Sequence, residues 1–436
     1  MRSFFAYTAS ALGVVILLAG CSHQSGGEAT ANGNGNGHAD AAKIVLVAPG
    51  PDAQEKAQEA LIMAEPGMIL EFAEGTFEFT QSLSLEDVEG VTIRGQGPDK
   101  TILNFAKLVP GSGGEGIIAK SNGFTIESLA IEDTRADGIK TEGITGVTFR
   151  NLHIRWTRGP HEDNGAYGVY PVLCKDVLVE DCYVTDCADA GIYVGQSENV
   201  IVRRNKVERN VAGIEIENTI GADVYDNECT DNTGGLMVFS LPDLELKNGR
   251  QCRLFNNHVY ANNHRNFAKE GNIVATIPPG TGVMIMANDD VHVFENTIEG
   301  NDTANVSIIS YHATGREIKD AEYDPYPEGI YIYDNRIANG GQNPSGTIGD
   351  IIRALLGSET SDILYDGIVN PERLVDGELP AQYGVFIRNN GDATFVNLDL
   401  GTALAGGETE PQISRDLAPH DGELPPLPAI VVPGVD

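Results

Sequence analysis

The chain has 436 residues, of which 29 are Lys or Arg and 63 are Asp or Glu, giving a formal net charge of −34. So acidic a balance excludes a nucleic-acid partner, because phosphate backbones are held by an excess of Lys and Arg. It also opposes a bulk polyuronate unless cations intervene, leaves neutral glycans and cationic proteins open, and serves solubility equally well.

The chain opens with Arg2, continues as an apolar run from Ala11 to Ala19, and closes that run with Leu18-Ala19-Gly20-Cys21. A positive start, a short apolar stretch and small residues make an export signal, too short for a comfortable membrane span. The closing tetrapeptide resembles the bacterial lipobox. That resemblance implies a lipid on Cys21 and, with Ser22 next, an outer-membrane lipoprotein on its periplasmic or cell-surface face. Residues 1–20 are then a signal peptide and residues 21–43 a lipidated cysteine with a flexible tether, because Ser22 to Ala42 is too rich in Gly, Asn, Ala and Ser to bury a core.

Ordered structure is expected from Ile44. Asp52 can cap a short helix running to about Ala64, which Pro66-Gly67 ends. From Met68 the apolar period becomes two, as in Met68-Ile69-Leu70-Glu71-Phe72 and Thr76-Phe77-Glu78-Phe79. A repeat then begins with glycine and an aliphatic residue: Gly116-Ile117, Gly138-Ile139, Gly168-Val169, Gly191-Ile192, Gly213-Ile214, Gly235-Leu236, Gly282-Val283, the weaker Ala304-Asn305-Val306, and Gly329-Ile330. The commonest step is 22 residues, as from Gly191 to Gly213 and from Gly213 to Gly235, and longer steps mark insertions. Asparagines keep the same period, at Asn205, Asn227, Asn257, Asn296 and Asn335, with a second series at Asn210, Asn232, Asn262 and Asn301. Such a period with short strands predicts a solenoid coil whose Asn tolerate a left-handed turn and bond to their neighbours above and below. Ile348 to Leu356 is a candidate late helix, and the Pro-rich tail from Pro419 should be extended. The expected organisation is an all-β body over 44–400, a single right-handed parallel β-helix with a short N-terminal capping helix, and a C-terminal tail over 401–436.

Six cysteines are present. With Cys21 lipidated, five remain, an odd number. Cys182 and Cys187 fall at Asn-series positions and Cys229 at a core position, so buried thiols are expected rather than a disulfide framework.

The glycine-led coils, the Asn series and the opening Gly95-Gln96-Gly97 with Thr101-Ile102-Leu103 resemble the right-handed parallel β-helix superfamily of pectate lyases, alginate epimerases and polysaccharide-binding surface proteins. Within it, the lipobox with Tyr193 to Asn199, Met237 to Pro242 and Asn305 to Ala313 is similar to a subfamily of bacterial β-helix lipoproteins of unknown activity, often encoded beside an exported haem-type protein. Gly159-Pro160-His161-Glu162-Asp163 matches the Asp-Pro-His-Asp motif of alginate epimerases only in part, lacking its first Asp and carrying an extra Glu. The Asn-Thr-Asp and Gly-His-Gly motifs of galacturonases are absent from the sequence.

Strand alternation sorts the glycine-led strand by face, with the second and fourth residues after the glycine pointing out. Successive coils then present Lys140 and Glu142, Tyr170, Tyr193, Glu215 and Glu217, Met237 and Phe239, Met284 and Met286, and Tyr331 and Tyr333. In the polar half, Glu215 and Glu217 are candidate ligands of a Ca²⁺, Lys140, His161 or Tyr193 are candidate catalytic groups for abstracting a proton from a uronate, and Tyr170 and Tyr193 can stack on sugar rings. In the apolar half, Met237, Met284 and Tyr331 either bind a ligand or partner or lie under the neighbouring insertions. Two functions follow: a surface-anchored protein that binds or scaffolds a glycan or the exported haem-type partner, or a polysaccharide lyase or C5-epimerase acting on uronate-containing glycans. Whether the chain is an enzyme stays open at this level.

Overall fold

The computed structural model describes residues 42–357, 360–404 and 412–435. The export signal, Cys21 and nearly all of the tether lie outside the described residues. Among the described residues no helix is long and apolar enough to cross a membrane.

Strands of the glycine-led segments stack in parallel and in register, Ile192 beside Ile214, Ile214 beside Leu236, Leu236 beside Val283, and Val283 beside Val306. They form an eleven-stranded sheet that runs from Leu83–Glu86 to Phe395–Asn397. A twenty-stranded sheet supplies the other two walls, which Phe124–Glu132 and Thr145–Arg155 join by passing through the corner between them. The result is a right-handed parallel β-helix. Alternation sends Ile192, Val194, Ile214, Ile216, Leu236 and Val238 into its interior, where all are buried. Full burial of each such aliphatic side chain is worth about 1.5–3 kcal/mol, which makes the stacked core the main stabilising term. The helix Ala53–Ile62 covers the first end, turning Ala53, Ala57 and Leu61 onto the core.

The asparagines form two continuous ladders. Asn205 donates from its backbone N–H and from Nδ2 to Oδ1 of Asn227, both at 3.0 Å, and the same double contact passes from Asn227 to Asn257, from Asn257 to Asn296 and from Asn296 to Asn335. The left-handed residue at this corner is not the asparagine but the residue before it: Arg204, Asp226 and Asn256 have φ of 55°, 56° and 55°. The reason is that the ladder amide must point inward to satisfy buried backbone groups, so the preceding, outward residue makes the turn. The second ladder, through Asn210, Asn232, Asn262 and Asn301, ends on Asn305, which stands where the earlier coils have glycine and accepts from Nδ2 of Asn301 at 2.8 Å. Glycine is required at the preceding coils by close approach: a Cβ on Gly213 would lie 2.5 Å from the Gly235 carbonyl oxygen.

Gly329-Ile330 is not a glycine-led coil. The strand Ile330–Tyr333 pairs Tyr331 with His292 and Ile332 with Val293, in the twenty-stranded sheet. The glycine-led wall instead continues through Ile363–Tyr365, with Ile363 beside Val306. The local period of two is the same in both walls, so alternation alone cannot tell them apart. Tyr331 therefore does not share a wall with Met237 and Met284, and it stacks on Tyr333 with ring centroids 4.2 Å apart.

Cys174, Cys182, Cys187, Cys229 and Cys252 are all buried and free. Cys182 and Cys187 cap the two ladders, their N–H groups donating to Asn205 and Asn210 at 2.9 Å. Trp156 is buried, with Nε1 donating to the Thr134 carbonyl at 2.7 Å. Along the tail, Ile430 N–H donates to Asp223 Oδ2 at 3.1 Å and Val432 is buried against Leu178 and Ile201.

Candidate functional site

The outward side of the glycine-led wall is a second core. Tyr193, Met237, Phe239, Met284 and Met286 are buried there beneath Phe267, Val274 and Ile277 of one insertion and Tyr311 and Tyr323 of another. Tyr323 fastens its loop by donating to the Ser240 carbonyl at 2.6 Å. Outward methionines and aromatics on consecutive coils would otherwise leave a large bare apolar patch, and the insertions remove it.

The polar half of this face carries a carboxyl and tyrosine cluster. Tyr193 donates its hydroxyl to Glu217 Oε1 at 2.8 Å from the adjacent coil. Tyr167, Tyr170 and Tyr193 pack together, their ring centroids 4.5 to 5.0 Å apart. Glu215 Oε1 and Asp189 Oδ1 are buried without a hydrogen-bond partner. Burial, then the charges of Asp189 and Glu217, pushes the Glu215 carboxyl well up, and burial, then the charges of Glu217 and Asp137, does the same to Asp189. Burial raises Glu217 to about 7, against the hydrogen bond from Tyr193 that favours its anion. Asp137 is raised to about 6, chiefly by burial. A carboxyl held near neutrality in a dry setting, hydrogen-bonded to a phenol, is suited to general acid–base work.

Toward the earlier coils the face opens. Lys140 Nζ stands 5.3 Å from the centroid of the half-buried Tyr170 ring, and Glu142 joins Lys140 at 3.7 Å and Lys120 at 3.0 Å. Beside them is a polar cleft of about 470 Å³ lined by Asp87, Glu89, Lys120, Asn122 and Glu142.

The structure thus brings together Lys140, Tyr170, Tyr193, Glu215 and Glu217 on successive coils. It buries Met237 and Met284 under the insertions and sets Tyr331 in another wall. His161 remains on an exposed loop, 3.7 Å from Asp163, and among the described residues no hydrogen bond or ion pair joins it to the carboxyl cluster. Glu215 and Glu217 would bring two carboxyl groups to a Ca²⁺, which takes six to eight oxygens. Among the described residues the trio of acidic donors that come within 4.8 Å of one another is Asp289, Asp324 and Glu328 instead. Arg373 already serves that trio, 3.0 Å from Glu328 and 3.6 Å from Asp324. Sequence reasoning missed Asp137, Tyr167 and Asp189. The available signal was an acidic residue one or two places before a repeat glycine, as in Asp137-Gly138 and Asp189-Ala190-Gly191.

Residues 90–249 match the family described as right handed beta helix region. No curated protein matches the sequence. Among solved structures, the chain is similar to the A-module of mannuronan C-5 epimerase AlgE4 from Azotobacter vinelandii, at 17% identity over 78% of this chain and 91% of that one, with a TM-score of 0.52. It is also similar to an alginate lyase from a Paenibacillus species, at 16% identity over 68% and 97% with a TM-score of 0.46, and to a Family 28 exopolygalacturonase from Yersinia enterocolitica, at 14% identity over 81% and 70% with a TM-score of 0.43. At 17% identity the likeness to the AlgE4 A-module is one of fold. Its parallel stacked coils and the matched repeat segment make the chain a right-handed parallel β-helix protein.

Proposed function

We propose that the chain acts on a glycan along the outward side of the glycine-led wall, with Glu217 and Tyr193 as an acid–base pair and Tyr170, Lys140 and the adjoining polar cleft as the substrate rim. The hydrogen bond from Tyr193 to Glu217, beside the partnerless buried oxygens of Asp189 and Glu215, is the observation that carries this reading. A structural core has no use for three carboxyls on two neighbouring coils, since each unpaired buried polar atom costs about 1–3 kcal/mol. The glycan-acting fold neighbours support the substrate class, and Tyr170 and Lys140 offer a ring face and a cation to a sugar and its carboxylate. Because Tyr193, Glu215 and Glu217 are buried, turnover requires the loop that holds Tyr311 and Tyr323 to move aside.

The scaffold reading draws its strength from an exposed apolar stripe. Met237, Met284 and their neighbours are covered by the chain's own loops, so a partner such as an exported haem-type protein would need another surface. Lipid anchoring through Cys21 at the outer membrane is compatible with either reading and is part of the proposal.

The test is turnover by the purified protein on a panel of uronate-containing and neutral polysaccharides, with and without chelator. The expected result is product formation that survives chelation and is lost in Glu217→Gln with folding intact. Silence across the panel, or full activity in Glu217→Gln, rejects the assignment.

A further inference from the structure

A second cavity lies on the same wall in the later coils and takes no part in the carboxyl cluster. It has a volume of about 710 Å³ and is lined by Met284, Met286 and Ile309 from the wall, Ile277 from the insertion, Ile352 from the helix Gly346–Leu356, and Leu364. That volume falls within the range of small-molecule pockets. Ile348, Ile351 and Leu355 of the helix also line it and are 36%, 55% and 40% exposed, so its mouth is apolar as well as its floor.

Most polar side chains of the lining are already engaged: the hydroxyls of Thr276, Thr281, Thr303 and Thr314 donate to backbone carbonyls at 2.6 to 2.8 Å. Asn266 spends its amide on the carbonyls of Val274 and Ile277, at 2.8 and 3.0 Å, and Asp366 already accepts the N–H groups of Ser310 and Ile368, at 2.6 and 3.0 Å. The cation in the lining is Arg316, which is exposed and has no ion pair among the described residues. At the edge of an aliphatic pocket, an arginine without a carboxylate partner is free to meet an anionic group of a ligand.

We infer that this cavity binds an alkyl carboxylate, the chain lying against Met284, Met286, Ile309 and Leu364 and the carboxylate meeting Arg316. Methionines and aliphatic residues adapt to a flexible chain, and they supply most of the cavity's floor, with the Ser307 hydroxyl as a small polar interruption. The inference does not rest on the glycan reading, whose Tyr170, Tyr193 and Glu217 lie on earlier coils, although Arg316 belongs to the loop between Tyr311 and Tyr323 that covers them.

The experiment is titration of the full chain with a fluorescent long-chain fatty acid, alongside the matching neutral alcohol and anionic phospholipid vesicles. Saturable binding of the fatty acid at one equivalent is expected, weakened roughly tenfold by Arg316→Glu, an exposed position whose change does not threaten folding. The alcohol should bind with little response to that substitution, and Ile352→Trp, which fills the cavity, should reduce both. No saturable fatty-acid binding, binding unchanged in both variants, or association with vesicles alone would overturn the inference.

Discussion

Tyr193 and Glu217 come from adjacent coils, and the hydroxyl of the first meets Oε1 of the second at 2.8 Å inside a space closed by the chain's own insertions. The contact exists only because two 22-residue repeats stack with Tyr193 beside Glu215 and Gly195 beside Glu217, leaving room above a glycine for the ring to lean toward Glu217. It couples the fold's repeat to its titration behaviour.

The folded pKa of Glu217, about 7, is above the ordinary carboxylate value of 4.5. In that interval the native state holds a proton that the unfolded state has released, so this group stabilises the fold below about pH 4.5 and that contribution is lost as pH rises through about 7. The effect is on the order of 3 kcal/mol for a group so deeply buried. Thermal unfolding of the wild type is expected to show a falling Tm between pH 5 and pH 8, on the order of several degrees, and Glu217→Gln should flatten the slope. A slope unchanged in the variant would place the titration elsewhere.

Glu180 has the opposite sign. Burial pushes its carboxyl up, but hydrogen bonds from Arg150, Arg203 and Arg204, at 2.6, 2.8 and 2.6 Å, draw it down to about 2. Its contribution is therefore present above the ordinary value of 4.5 and disappears as pH falls through about 2. Glu180→Gln should cost about 2–4 kcal/mol in urea unfolding at pH 7 and very little at the acid end of that window, because three guanidinium groups lose their shared anion. Equal losses at both pH values would mean that packing rather than charge is at stake.

Asn227 sits in the middle of its ladder, donating to Asn257 and to the Val202 carbonyl while accepting two N–H groups from Asn205. Asn227→Ala strands the two buried Asn205 donors on one side and takes a donor from Asn257 Oδ1 and the Val202 carbonyl on the other, for an expected loss of about 3–5 kcal/mol by chemical denaturation. A loss below about 1 kcal/mol would show that water or a shifted neighbour replaces the rung.

Gly213→Ala tests the glycine-led corner, where a Cβ would press on the Gly235 carbonyl and on Val207. The backbone of the next coil cannot give way without breaking register, and a penalty of about 1–3 kcal/mol is expected. A neutral result by the same unfolding measurement would indicate that coils can separate locally.

Apart from Cys21, the thiols should be silent to an alkylating reagent in the native protein and all react after unfolding. Burial pushes Cys182 up to about 12, and Cys174, Cys187, Cys229 and Cys252 are raised by burial too, so none has appreciable thiolate at neutral pH. Rapid modification of any of the five in native conditions, read by mass spectrometry, would contradict this burial.

The 22-residue spacing, the inward aliphatic pairs such as Ile214 and Ile216, and the Asn series together determined the coil, its stacking and its buried thiols, because each depends on a local period that every repeat restates. The outward order of Lys140, Tyr170, Tyr193, Glu215 and Glu217 followed from the same alternation. The tertiary structure alone decided which wall each strand joins, as Tyr331 shows, since both walls share a period of two. It alone decided that Met237 and Met284 are covered, because insertions without a repeat carry no register by which their resting place can be read. The raised carboxyls of Asp189, Glu215 and Glu217 likewise arise from solvent exclusion by distant loops, a property that no residue possesses in the sequence by itself.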